Sequence, residues 1–239
     1  MNMSASHLID QGTIGEIAAA LPGATAVFRS FKLDFCCGGN VSLADAVAKR
    51  GVELLSVQNA LRSLDQSAES ALPDDANNLI DYIQSRYHDT HRREIPELIR
   101  LARKVESVHA DHPNAPKGLA NALAEVLDDL EMHMVKEEAA LFPMLRRGDR
   151  LSVVYPIAQM RLEHERHGQH LSRLEEIAQG FKAPEGACRS WQALYLGLSK
   201  FVEDLIEHIH IENNILFPQF DQLAPETPQY SSCCGSCGG

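Results

Sequence analysis

Apolar residues return at helical spacing in stretch after stretch of this chain, and polar segments bearing glycine or proline cut it into rods. Near the start, Thr13-Ile-Gly-Glu16 has the form of a capping box and predicts a short helix that Pro22-Gly23 ends. Ala24 to Phe31 makes a second, with Ala24, Val27, Phe28 and Phe31 on one face. After the turn Cys36-Cys37-Gly38-Gly39, Ser42 caps a helix that runs through Lys49 to a stop at Gly51. Ser56 opens another, carrying Val57, Leu61 and Leu64. Four short helices in about 60 residues bury only a modest core, so this module, residues 1–66, is expected to pack on something or to move.

Residues 67–77 are polar and proline-broken and read as a linker. Four longer rods follow. The first runs from Asn78 to about Ala110, with Pro96 expected to kink or break it, and the second ends near Arg146. The third covers Val153 to Gln179 with Gly180 as its stop, and the fourth covers Ala187 to Leu223. The pattern predicts an all-α protein: an up-down four-helix bundle over residues 78–223, preceded by a small helical module. Residues 224–239 have no apolar period to bury and read as a disordered, cysteine-rich tail.

Within the bundle the chain repeats itself. His133-Met-Val-Lys-Glu137 and His208-Ile-His-Ile-Glu212 are both His-x-x-x-Glu, and in each a Leu-Phe-Pro begins eight residues after the histidine, at Leu141 and Leu216. Upstream stand two His-x-x-His segments, beginning at His88 and His164, 45 and 44 residues before His133 and His208. On a helix, positions i and i+4 differ by about 40° in azimuth, so one imidazole and one carboxylate of each copy face a common point. Two hairpins packed face to face would bring six donors together: His88, His133, Glu137, His164, His208 and Glu212. That set suits two borderline metals such as iron, with Glu137 and Glu212 placed to span both. Glu138, rotated a further 100° or so, is the weaker candidate. His91 and His167 are read as alternatives, a further imidazole or an outer hydrogen-bond partner, behind the simpler symmetric set. His7, His109, His112, His170 and His210 are read as surface or packing residues. Glu163, Glu125 and Glu131 are carboxylates near the site, and a buried one could relay protons with its pKa raised by desolvation.

Composition narrows the classes without changing this picture. A formal charge of −11 offers no broad basic field for nucleic acid or anionic lipid. No run of about 18 apolar residues suggests a membrane span, and the first residues lack a basic leader, so the expected compartment is the cytoplasm. The six cysteines fall at Cys36-Cys37, Cys188, Cys233-Cys234 and Cys237. Adjacent pairs of this kind point to metal or redox work by thiols rather than to a disulfide framework.

Taken together, Asp34-Phe35-Cys36-Cys37-Gly38-Gly39, Arg86-Tyr87-His88-Asp89-Thr90-His91-Arg92, Glu163-His164-Glu165 and the two His-x-x-x-Glu…Leu-Phe-Pro copies resemble the repair-of-iron-centres family of bacterial di-iron proteins, over nearly all of residues 12–222. The resemblance implies a hemerythrin-like bundle holding two non-haem iron ions, for which an oxo bridge is one option. It places the ligands on the same six residues. It implies a stress-response role in restoring iron-sulfur proteins damaged by nitrosative or oxidative stress, through iron donation, removal of nitric oxide, or both, and makes Cys36 and Cys37 relevant to that work. The alternatives are a protein that binds or reduces nitric oxide, and a hemerythrin-like dioxygen binder, against which four histidines rather than five argue mildly. Damaged iron-sulfur proteins and nitric oxide or dioxygen are the implied partners. The oligomeric state stays open, as does the role of the tail cysteines.

Overall fold

The computed structural model describes residues 5–64 and 72–221. The proposed tail and residues 67–71 of the proposed linker lie outside them. Five short helices open the chain: α1 (Ala5–Gln11), α2 (Ile14–Ala20), α3 (Ala24–Ser30), α4 (Leu43–Arg50) and α5 (Leu54–Arg62). The pattern anticipates four of these and misses α1, because its seven residues show only the apolar pair Leu8 and Ile9. Thr13 caps α2 in a full capping box, its hydroxyl accepting from the Glu16 amide while Glu16 accepts from the Thr13 amide. Ser42 caps α4, and Gly51 ends it in the left-handed conformation at φ 72°. Helix α5 starts ahead of Ser56, with Glu53 at its N-cap. Among the described residues no strand forms, only an isolated bridge between Thr13 and Ser42.

The bundle rods follow. The first is α6 (Ala76–Ile83) and α7 (Asp89–Val108), joined by a π turn at Gln84–His88. The second is α8 (Leu119–Lys136), a π turn at Glu137–Leu141 and α9 (Phe142–Arg146). The third is α10 (Val154–Ile177), and the fourth α11 (Arg189–Ile211) followed by a π turn at Glu212–Leu216. Pro96 does not break the helix, since α7 runs through it. Among the described residues the rods depart from regular α-helix at the three π turns.

Two apolar clusters hold the bundle. The larger unites the N-terminal module, including Phe28 and Phe35, with Ile95, Leu123, Trp191 and Phe201 of the bundle. The module is therefore packed, and burying a side chain such as Phe28 completely contributes about 1.5–3 kcal/mol. The smaller gathers Leu79, Ile83, Phe142, Ile157 and Phe217 at the other end. Between the two lies a buried layer of histidine and glutamate.

Candidate metal centre

The π turns position this layer. Pro143 and Pro218 lack an amide hydrogen, so no regular i→i−4 bond can continue through them. Just before each, the amide of Phe142 reaches back five residues to the Glu137 carbonyl, and that of Phe217 to Glu212. A five-residue turn aligns i with i+5, and this swings each phenylalanine under an imidazole of another rod. Phe142 stacks on His88 with centroids 5.7 Å apart, and Phe217 on His164 at 6.1 Å. The Leu-Phe-Pro segments thus support the rings as well as filling the core.

All six side chains chosen from spacing converge, and all are fully buried. Their donor atoms fall into two groups, His88, Glu137, His208 and Glu212, and His133, Glu137, His164 and Glu212, each with its donors within 4.8 Å of one another. Both carboxylates belong to both groups. Glu137 Oε2 lies 3.4 Å from His88 Nε2 while its Oε1 lies 3.4 Å from His133 Nε2. Glu212 divides likewise, with Oε1 3.2 Å from His208 Nε2 and Oε2 3.0 Å from His164 Nε2. Within each group the two Nε2 atoms face one another, at 3.2 Å for His88 and His208 and 3.1 Å for His133 and His164.

Such an arrangement is costly for a protein without cations. Both oxygens of Glu137 and one of Glu212 are buried with no hydrogen-bond partner, their nearest nitrogens standing at ion-pair distance but outside hydrogen-bond geometry. Two buried carboxylates and four inward-facing imidazole nitrogens fit a pair of borderline divalent ions, each with two nitrogens and two oxygens. The electrostatics agree. Burial pushes the His133 pKa down, but the charge of Glu137 3.4 Å away and the hydrogen bond to Glu163 override it and raise it to about 10. Burial raises Glu212, yet the charge of His208, 3.2 Å from Oε1, and the nearness of His164 to Oε2 hold it well below the usual carboxylate range. The site attracts positive charge.

Three of the four imidazoles are also held from behind, as metal-binding histidines usually are. His133 Nδ1 donates to Glu163 at 3.0 Å, His88 Nδ1 to Glu138 at 2.7 Å, and His164 Nδ1 to Asn213 Oδ1 at 2.9 Å. His208 Nδ1 is buried without a partner. The internal repeat explains this: the residue before His164 is Glu163, whereas the residue before His88 is Tyr87, whose ring stacks on His208 at 5.4 Å instead of accepting its proton.

Glu163 is buried, and its other oxygen accepts from Lys136 at 2.7 Å. The expectation of a desolvated, raised pKa is reversed there. The hydrogen bond to His133 outweighs desolvation and, with Lys136, drives the carboxyl far below its usual range, so it is a fixed anion rather than a proton carrier at neutral pH. Glu138 also takes Arg92, which bonds Glu131, and Glu125 pairs with Arg173, so neither Glu125 nor Glu131 enters the site.

His91 and His167 lie buried beside it. His91 is 5.5 Å from the His208 ring and His167 is 4.8 Å from that of His133, on opposite sides of the centre. Burial, then neighbouring imidazoles, lowers His167 to about 2, and His91 falls well below the usual value for the same reasons. Both are neutral rings, and the doubled His-x-x-His was their signal in the sequence. His210 packs against Phe35 and receives a hydrogen bond from Asn214 Nδ2 at 3.0 Å.

The Cys36-Cys37 turn docks against this layer. Asn213, which holds His164, donates through Nδ2 to the Cys36 carbonyl at 2.9 Å, and Asn214 donates to the Phe35 carbonyl at 3.2 Å. The Cys37 thiol is 3.5 Å from the His164 carbonyl. Gly39 permits the approach, since a Cβ there would stand 2.6 Å from Asn214 Oδ1. Hydrogen bonding with Cys37, then burial, push the Cys36 thiol up.

Comparison with known proteins meets this geometry from the other side. Residues 78–220 match the Hemerythrin HHE cation binding domain, and residues 10–65 match the ScdA_N domain, described as a domain of unknown function. Over 210 residues the chain is 45% identical to the iron-sulfur cluster repair protein YtfE of Yersinia pseudotuberculosis serotype O:1b (strain IP 31758), covering 87% of this chain and 95% of that protein. The chain belongs to the YtfE family. The YtfE of Yersinia pestis (strain Pestoides F) is 44% identical over the same span. The alignments span both the Cys-Cys module and the bundle, as expected of YtfE relatives in which the two stay joined. Among the described residues no helix is long and apolar enough to cross a membrane.

Proposed function

We propose that this chain is a cytoplasmic di-iron protein that restores iron-sulfur clusters damaged by nitric oxide or oxidants, chiefly by giving up iron. The observation that carries the reading is the pair of overlapping donor groups sharing Glu137 and Glu212, in a chain 45% identical to a YtfE iron-sulfur cluster repair protein. His88 and His208 would hold one ion, His133 and His164 the other, and the two carboxylates both. Iron so bound would supply a metal that can be surrendered and that has affinity for nitric oxide.

The residues around the centre support donation from one half in particular. Glu163 and Asn213 fix His133 and His164 from behind, which pre-organises that half. In the other half only His88 is fixed, and the His208 ring is kept in place by stacking on Tyr87. An ion there meets one less rigid ligand and leaves more readily. Neutral His91 beside it adds a nitrogen without adding charge. The flanking apolar clusters keep bulk water from the layer.

The test is reconstitution. Iron-loaded protein mixed anaerobically with a nitric-oxide-damaged cluster enzyme should restore its activity beyond an equal amount of free ferrous iron. Recovery no better than the free metal's would refute repair by donation.

A further inference from the structure

The cysteine turn has a geometry that the bundle centre does not use. It forms part of the wall of a cavity of about 650 Å³ between the module and helices α10 and α11. The Cys36 and Cys37 sulfurs are 3.6 Å apart, and Cys36 Sγ is 3.5 Å from Asp34 Oδ1. One donor atom from each of the three residues lies within 4.8 Å of the others.

Those spacings can be compared with what a tetrahedral ion needs. With metal–sulfur bonds of about 2.3 Å, two sulfurs 3.6 Å apart subtend roughly 103° at the ion, close to the tetrahedral angle. A carboxylate oxygen at about 2.1 Å in the same geometry would lie roughly 3.6 Å from a sulfur, against 3.5 Å in the turn. The turn's backbone bonds do not depend on sulfur, although the Cys36 side chain belongs to the larger apolar cluster. Asp34 Oδ1 accepts the Cys37 amide at 3.0 Å and closes the turn, and the glycines allow the close packing, whatever side chains stand at 36 and 37.

We propose that Asp34, Cys36 and Cys37 form a third metal site, which takes one borderline divalent ion, iron(II) or zinc(II), and leaves a fourth coordination position facing the cavity. Binding displaces the two thiol protons to solvent, and no electron moves. Three anionic ligands leave one surplus negative charge on a divalent ion, at a site that opens on a cavity whose wall carries both cations (Arg29, Lys32, Arg50) and carboxylates (Glu165, Glu175, Glu203). An ion with three protein ligands and an open position is suited to being passed on. Its neighbourhood fits that use: the Cys37 thiol touches the backbone of His164, and Asn213 links the imidazole of His164 to the carbonyl of Cys36. The assignment of this site to iron traffic rests on the repair reading above, whereas its existence does not.

Cobalt(II) is the probe. The full chain, with iron in the bundle and with Cys188, Cys233, Cys234 and Cys237 replaced by serine, is titrated with cobalt(II) without oxygen. One equivalent should bind with thiolate-to-cobalt charge-transfer absorption and the visible bands of tetrahedral cobalt. Cys36→Ser and Cys37→Ser should each abolish the charge-transfer band while bundle iron and helical circular dichroism stay unchanged, and Asp34→Asn should weaken binding about tenfold or more. Zinc absorption spectroscopy on the same protein, with the turn intact, should show two sulfurs at about 2.3 Å. An absent thiolate band, an unchanged band in Cys36→Ser, a zinc shell of nitrogen and oxygen only, or a Cys36–Cys37 disulfide under reducing conditions would each overturn the site. A cobalt signature in a protein that fails the cluster-repair assay would leave the site standing and remove the repair reading alone.

Discussion

Asn213 is the residue through which the module should feel the state of the metal centre, and its removal makes a quantitative test. In Asn213→Leu, the Nδ1–H of His164 loses its 2.9 Å acceptor and the Cys36 carbonyl loses its 2.9 Å donor. Each orphaned group costs about 1–3 kcal/mol, and because Asn213 is only half-buried the lower part of that range applies, giving about 3 kcal/mol in all. For a chain of this size each kcal/mol lowers Tm by about 2–4 °C, so the metal-free variant should melt about 6–12 °C below the parent. The imidazole of His164, no longer oriented, should also bind its ion about 10–100-fold more weakly. Asn213→Asp separates the two effects. A carboxylate still accepts from His164 but presents an acceptor to the Cys36 carbonyl, so iron binding should survive while the module loosens. Thermal unfolding in chelator, followed by circular dichroism, reads the first effect, and iron content after a timed chelator challenge reads the second. If Asn213→Leu melts with the parent and keeps its iron equally long, the proposed coupling is wrong.

Other consequences follow from the same geometry. His208→Ala should retain about one iron per chain, in the His133 and His164 half, whereas Glu137→Ala, which removes an oxygen from both halves, should retain less, as metal analysis will show. In the parent, chelator should remove iron in two phases, with the fast phase absent in His208→Ala. Gly39→Ala would place a Cβ 2.6 Å from Asn214 Oδ1 and 2.9 Å from the Phe35 carbonyl, so urea unfolding should show a loss of about 1–3 kcal/mol. Asp204 accepts from Arg86 at 2.6 Å and from Lys200 at 2.8 Å; burial raises its pKa, but these cations bring it below the usual 3.8. A depressed carboxylate contributes stability that is complete above its unfolded pKa and is lost as pH falls through its folded value. Asp204→Asn should therefore cost about 1 kcal/mol at pH 7 in metal-free protein, with partial exposure of Arg86 and Lys200 screening the pair, and the gap should shrink as pH falls below 3.8 and vanish below the depressed folded value. A gap that widens on acidification would contradict the assignment.

How much of this could be read without coordinates depended on which physical rule each feature obeys. The long rods and the six converging donors follow from helical periodicity and from the His-x-x-x-Glu copies that recur 75 residues apart, and both survive translation into space because helix geometry is rigid. Thr13, Ser42 and Gly51 act at their helix ends as their chemistry dictates. Helix α1 was not legible because seven residues with two adjacent apolar side chains carry no periodic signal. Pro96 misled: a proline in a helix removes one hydrogen bond, and here the neighbouring packing of Ile95 and Ile99 keeps α7 unbroken. The fate of Glu163 was not legible either, because desolvation and the bond to His133 act in opposite directions, and only the distance to His133 decides between them.

The π turns show why the repeat includes Leu-Phe-Pro as well as the donors. A regular helix through Glu137 would put Leu141 on the inner face and turn Phe142 a further 100° or so away from it. The extra residue in the turn brings both inward, and both are buried, with Phe142 beneath His88. The second copy does the same with Leu216 and Phe217 beneath His164. Each hairpin therefore supplies a carboxylate to the centre and an aromatic floor to the imidazole on its own upstream rod. The two copies differ mainly in what surrounds these shared parts: Glu163 against Tyr87 ahead of the upstream histidine, and Asn213 against Glu138 behind the bridging carboxylate. Asn213 alone of the last pair has an amide to donate, and it spends that donor on the Cys36 carbonyl. The duplication makes a symmetric pair of donor groups, and these two differences leave one with both imidazoles hydrogen-bonded from behind and next to the thiols, and the other with only His88 so held.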